Sequence, residues 1–172
     1  EIEGHPDNVA AALFGGAVLA WQGNDFADAI KLEVSPRITA VAFIPSNNVP
    51  TSKARKMLPD SIPHQDAVKN SINTALLTQA LTNRPDLLLT ATEDFLHQSY
   101  REPAMPKSYA LMQKLRAAGV AAFISGAGPT VLALLVDADL NHELEDLVRA
   151  AGTGFSVENL EISRSGYQVS NI

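Results

Sequence analysis

The stretch from Val120 to Val136 constrains the fold more than any other. Val120 to Ile124 and Thr130 to Val136 are apolar, rich in branched residues and too short for helices. Ser125-Gly126-Ala127-Gly128-Pro129 joins them, and a glycine-proline loop between two apolar strands is a hairpin connection. The loop also admits a chemical reading. Two glycines flanking one small residue let a backbone approach a ligand and turn successive N–H groups toward an anion, so it can cradle phosphate or carboxylate. It is not a Walker loop, because no Gly-Lys-Ser or Gly-Lys-Thr follows.

The remaining pattern mixes helices with short strands. Pro6, Asp7 and Asn8 precede Val9 to Phe14, a short helix that Gly15-Gly16 stops. Ala17 to Trp21 reads as a strand, Gly23-Asn24-Asp25 as a turn, and Ile38 to Ile44 as a buried strand closed by Pro45. Thr51 to Leu58 is a short helix, and Pro59 and Pro63 end that segment. His64 to Thr82 carries apolar residues at 68, 72, 76, 77, 80 and 81, the spacing of one helical face, and Pro85 to Gln98 continues as a second helix. Lys107 to Ala118 is a third, with Gly119 at its stop. Asn141 to Ala151 is another helix, and Phe155 to Ile162 alternates as a one-sided strand does. This order predicts an α+β fold, with a boundary between two structural units near residue 60.

Composition excludes several function classes. Of 172 residues, 46% are hydrophobic, enough to bury a core. The formal net charge of -6 offers no field to gather phosphodiester backbones, which argues against nucleic acid. Absence of cysteine excludes disulfides, a thiolate nucleophile and thiolate zinc sites, and is compatible with the cytoplasm. The four histidines, at 5, 64, 97 and 142, lack zinc-site spacing, so any metal is a hard cation held by oxygen. No apolar run approaches the ~20 residues that cross a bilayer, and nothing at the start resembles a signal peptide. The sequence opens on Glu1 inside a patterned segment and reads as a cut chain.

Three further places carry candidate chemistry, each with a plainer alternative. Glu1 to Asn8 packs carboxylates, a histidine and a carboxamide ahead of an apolar helix; such a set can hold Mg²⁺ and a hydroxyl, or form a solvated helix entrance. Thr51 and Arg55 stand four apart on one helical face and can address a single carboxylate, or be a cap and a surface arginine. Arg101 and His97 lie in a helix-ending segment where the arginine is ordinarily solvated and the histidine packed or at the surface.

Taken in order, these motifs resemble one family. Glu3-Gly4-His5-Pro6-Asp7-Asn8, Phe14-Gly15-Gly16, Thr51 with Arg55, Tyr100-Arg101 and Ser125-Gly126-Ala127-Gly128-Pro129-Thr130 are similar to the galactokinase, homoserine kinase, mevalonate kinase and phosphomevalonate kinase family. The glycine loop is similar to a signature shared across that family, and Glu-Gly-His-Pro-Asp-Asn is more selective for its homoserine branch. The resemblance covers essentially the whole chain. It implies a two-domain small-molecule kinase fold, with residues 1–60 finishing a nucleotide-binding domain and 61–172 forming the second.

The implied reaction transfers the γ-phosphoryl group of ATP to the side-chain hydroxyl of L-homoserine, on the route to threonine. By resemblance Glu3 binds Mg²⁺, and His5 and Asn8 contact homoserine near the accepting hydroxyl. Arg55 and Arg101, with Thr51 nearby, grip the carboxylate, and Gly126, Ala127 and Gly128 line the site. Asp7 matches a catalytic aspartate of the mevalonate branch, and its role as a base in the homoserine branch stays open. The implied partners are ATP, Mg²⁺ and L-homoserine in the cytoplasm, without nucleic acid or membrane; a homodimer is compatible with the family. The family's ATP-phosphate loop is not in this sequence, so the 172-residue piece alone is expected neither to bind ATP tightly nor to turn over. Two alternatives are another kinase of the family, acting on mevalonate, a sugar or a diphosphocytidyl alcohol, and a non-catalytic interaction domain whose loop is only a hairpin.

Overall fold

The computed structural model describes residues 6–138 and 140–169, the side chains of 140–145 excepted. Helix α1 (Asp7–Phe14) follows Pro6, whose carbonyl accepts the Ala10 N–H at 2.7 Å. Gly15, at φ 69°, ends it; a Cβ there would stand 2.5 Å from the Ser165 backbone, so only glycine lets the two segments meet. Strands β1 (Ala17–Gln22) and β2 (Ala27–Leu32) form an antiparallel hairpin in which Leu19 faces Ile30. Sequence reasoning found no β2, because Ala27-Asp28-Ala29-Ile30-Lys31-Leu32 has little apolar contrast. Pairing with β1 makes it a strand.

The main body is a four-stranded antiparallel sheet, in order β4-β5-β3-β6, built from β3 (Ile38–Pro45), β4 (Ala121–Ile124), β5 (Val131–Val136) and β6 (Phe155–Leu160). The expected glycine hairpin is β4–β5, with Ile124 opposite Val131. On β3, Phe43 faces Val131 on one side and Val157 on the other. β3 thus joins one sheet with strands from the second half of the chain, partners remote in sequence.

Period-two alternation gives the sheet two apolar faces. Val41, Phe43, Ala122, Ile124, Val131, Ala133 and Leu135 pack with Leu111, Met112 and Leu115 of α6 (Pro106–Ala117) and Leu147 of α7 (Leu140–Ala151). Ile38, Ala40, Ala121 and Leu134 turn the other way, onto Ala80 of α3 (His64–Thr82) and Leu88 and Ala91 of α4 (Leu88–Ala91). Helices therefore cover both sides. The apolar face read on α3 is only partly covered: Leu76, Leu77, Ala80 and Leu81 join the core, while Val68 and Ile72 stand exposed.

The expected helix over Pro85 to Gln98 does not run through. A 3₁₀ turn (Pro85–Leu87) and α4 stop at Ala91, and the chain re-forms a helix only at α5 (Gln98–Arg101). Asp94 causes the break. Its Oδ2 accepts the N–H groups of His97 at 2.8 Å and Gln98 at 2.6 Å, and its Oδ1 accepts that of Leu96 at 3.3 Å. An aspartate satisfying consecutive N–H groups starts a new helix rather than extending an old one.

Candidate active site

A cleft of about 1090 Å³ opens where α1, α2 (Thr51–Arg55), α3, the Glu93–His97 segment and the glycine loop meet. Ala54, fully buried in the core, fastens α2, and Thr51 and Arg55, one turn apart, both line the cleft. Asp7 and Asn8 reach it from the first turn of α1, where the Asp7 Oδ1 accepts the Asn8 N–H at 2.8 Å. Glu3 and His5 lie outside the described residues.

Arg101 lines the same cleft and differs most from local expectation. A helix-ending arginine is ordinarily solvated, yet this one is only 9% exposed. Its Nη1 donates to the Gly126 carbonyl at 2.9 Å, and its Nε is buried with no hydrogen-bond partner among the described residues. Burial draws its pKa below the ordinary arginine value; the Asp94 carboxylate offsets part of this, and the positive charge of Arg55 adds to it. Both arginines line one polar space, where an anion would be stabilised by two positive charges.

The glycine loop contributes Gly126 and Ala127 to the wall. Gly128, the next residue of the loop, is turned to the core. Its N–H closes the loop on the Ser125 carbonyl at 2.9 Å, and its Cα faces the core, where an added Cβ would stand 2.5 Å from the Met105 Sδ and 2.9 Å from the Ile124 Cγ2. With φ at +83° as well, Gly128→Ala is expected to destabilise the fold by about 1–3 kcal/mol, read as a lowered urea midpoint.

Several lining residues went unread in the sequence. Asn70, Asn73 and Thr74 form a polar stripe on α3 at one-turn spacing. The Asn70 Oδ1 accepts the Phe95 N–H at 3.1 Å, and the Asn73 Nδ2 donates to the Glu93 carbonyl at 3.0 Å. Polar residues at helical spacing beside an apolar stripe were the available signal. Asp94 and His97 also face the cleft, with His97 Nδ1 3.0 Å from Asp94 Oδ1. Burial raises the Asp94 pKa, but hydrogen bonds from the His97 ring and from the Gln98 and His97 N–H groups outweigh it, and the carboxyl sits below its ordinary value.

Residues 73–153 match the family model described as GHMP kinases C terminal, a span that begins on α3 and includes Arg101 and the glycine loop. A homoserine kinase of Streptomyces avermitilis is 52% identical over 169 residues, covering 98% of this chain and 54% of the relative. The chain belongs to the GHMP kinase family. A second relative, the homoserine kinase of Streptomyces coelicolor, is 53% identical over 98% of the chain and 53% of its own length. This GHMP kinase chain thus spans about half the length of the curated relatives it matches.

Solved structures agree on the GHMP kinase fold. Homoserine kinase from Cytophaga hutchinsonii superposes with a TM-score of 0.82 at 28% identity, covering 95% of this chain and 54% of that one. L. major mevalonate kinase in complex with R-mevalonate superposes at 0.63 and 15% identity over 92% of this chain and 53% of the other, a likeness of fold alone. The α+β fold expected from the sequence is therefore the GHMP kinase C-terminal fold, helices on an antiparallel sheet.

Proposed function

We propose that the full-length protein is a cytoplasmic homoserine kinase that transfers the γ-phosphoryl group of ATP to the side-chain hydroxyl of L-homoserine, in threonine biosynthesis. The observation that carries this reading is a buried Arg101 turned to the same cleft as Arg55 and Thr51, in a chain just over half identical to homoserine kinases. Two guanidinium groups and a hydroxyl suit a carboxylate, and the identity narrows the acid to homoserine. Asn8 and His5 are assigned to contact the accepting hydroxyl, and Asp7 is the acidic group available next to Asn8.

Phosphoryl transfer through a loose transition state depends on positioning and charge neutralisation more than on a strong base. Arg55 and Arg101 orient the acid, and Gly126 and Ala127 form the wall beside it. Mg²⁺, when bound with ATP, neutralises charge on the transferring phosphoryl group. The proposed protein ligand of that ion is Glu3, by the resemblance of Glu3-Gly4-His5-Pro6-Asp7-Asn8 to the family's motif. Tight ATP binding and turnover are assigned to the full-length protein.

The test offers the full-length protein ATP and Mg²⁺ with L-homoserine, mevalonate or galactose and follows ADP release. Homoserine is expected to exceed the others in kcat/KM by about 10³-fold or more, because a site built to pair polar groups rejects acceptors that leave them unpaired. Faster turnover of mevalonate or galactose would overturn the assignment.

A further inference from the structure

Asp94 lines the cleft, yet its oxygens are turned to the protein. Oδ2 accepts the N–H groups of His97 and Gln98, and Oδ1 meets the Leu96 N–H and the His97 ring. These bonds hold the start of α5, a helix of four residues that could not form on its own. Behind Asp94, the Asn70 and Asn73 side chains fasten the neighbouring Phe95 N–H and Glu93 carbonyl to α3. Ahead of it, the two buried polar side chains of α5 reach the strand and loop opposite. Gln98 Oε1 accepts the Ile124 N–H at 2.6 Å, and Arg101 Nη1 donates to the Gly126 carbonyl at 2.9 Å. A continuous line of hydrogen bonds thus runs from α3 through Asp94 and α5 to the glycine loop.

We infer that Asp94 is a positioning residue: it anchors α5 so that Arg101 is held at the cleft with its guanidinium oriented for an acidic acceptor. The inference rests on the homoserine kinase reading. Asp94 stands ahead of α5, and its oxygens bond the backbone there, so it sets the Arg101 side chain through that short helix and the effect of losing it must pass through Arg101.

The experiment measures KM for homoserine and for ATP in the full-length wild type and in the Asp94→Ala, Asp94→Asn, Arg101→Ala and doubly substituted Asp94→Ala/Arg101→Ala proteins. Asp94→Ala is expected to raise KM for homoserine about 30-fold, the loss of one charge-assisted contact, with KM for ATP unchanged. In the double variant it is expected to add less than about 3-fold to the effect of Arg101→Ala, because residues acting through one another are not additive. Asn at 94 keeps one acceptor oxygen where the carboxylate uses two, and turns an NH₂ donor toward backbone N–H groups, so a rise of about 5-fold is expected. Asp94→Asn decides the matter should the alanine protein fail to fold. An unchanged homoserine KM in Asp94→Asn, or a full multiplication of the Asp94→Ala and Arg101→Ala effects, overturns the inference. A wild type that does not phosphorylate homoserine overturns the functional reading instead.

Discussion

Replacing Arg101 by alanine in the full-length protein is expected to lower kcat/KM for homoserine by about 10³-fold, the largest effect of any single substitution at the site. Two losses combine. The acceptor's carboxylate loses a charge-assisted partner, and the Gly126 carbonyl, now bonded at 2.9 Å, loses its donor in a half-buried setting. Each is worth about 1.5–3 kcal/mol when a charged group is involved. Arg101→Lys is expected to recover little, since an ammonium cannot bond the Gly126 carbonyl and a carboxylate in the forked geometry of a guanidinium. Steady-state kinetics with varied homoserine at saturating ATP would show the loss mainly in KM; a loss confined to kcat, with KM unmoved, would remove Arg101 from ground-state binding.

The second large effect is on stability. Phe43 is fully buried on β3, with β5 on one side and β6 on the other. Its side chain belongs to the core shared with Met112 and Leu115 of α6, so truncation leaves a cavity that sheet and helix must both collapse to fill. Phe43→Ala is expected to cost about 3–5 kcal/mol, seen as a lower urea midpoint at unchanged slope. Ile44, next along the same strand, is 42% exposed, and Ile44→Ala is expected to cost well under half as much. Equal losses at the two positions would contradict the assignment of faces.

Features set by local chemistry were legible in the sequence. The glycine loop between two branched apolar runs specified a hairpin, and β4 and β5 form it with Ile124 opposite Val131. Features set by distant partners were not. β2 is a strand because β1 pairs with it, and β3 is joined to segments that lie far along the chain. The break ahead of α5 depends on one aspartate choosing backbone donors, a choice that apolar spacing does not record. Arg101 read locally as a solvated helix end, yet it is buried and bonds the Gly126 carbonyl, a partner 25 residues along the chain. The motif order nevertheless pointed to the family, because it encodes residue types at chemically required places and not their packing.

The central claim is that Arg55 and Arg101 serve one acid group across a shared cleft. It is tested most directly by comparing L-homoserine with 3-aminopropan-1-ol, the same acceptor without its carboxylate, in the full-length wild type and in the Arg55→Ala and Arg101→Ala proteins. The wild type is expected to favour homoserine by about 10³-fold or more in kcat/KM, and each arginine variant to lose most of that preference by slowing on homoserine alone. Equal slowing on both acceptors, or a preference that survives both substitutions, would contradict it.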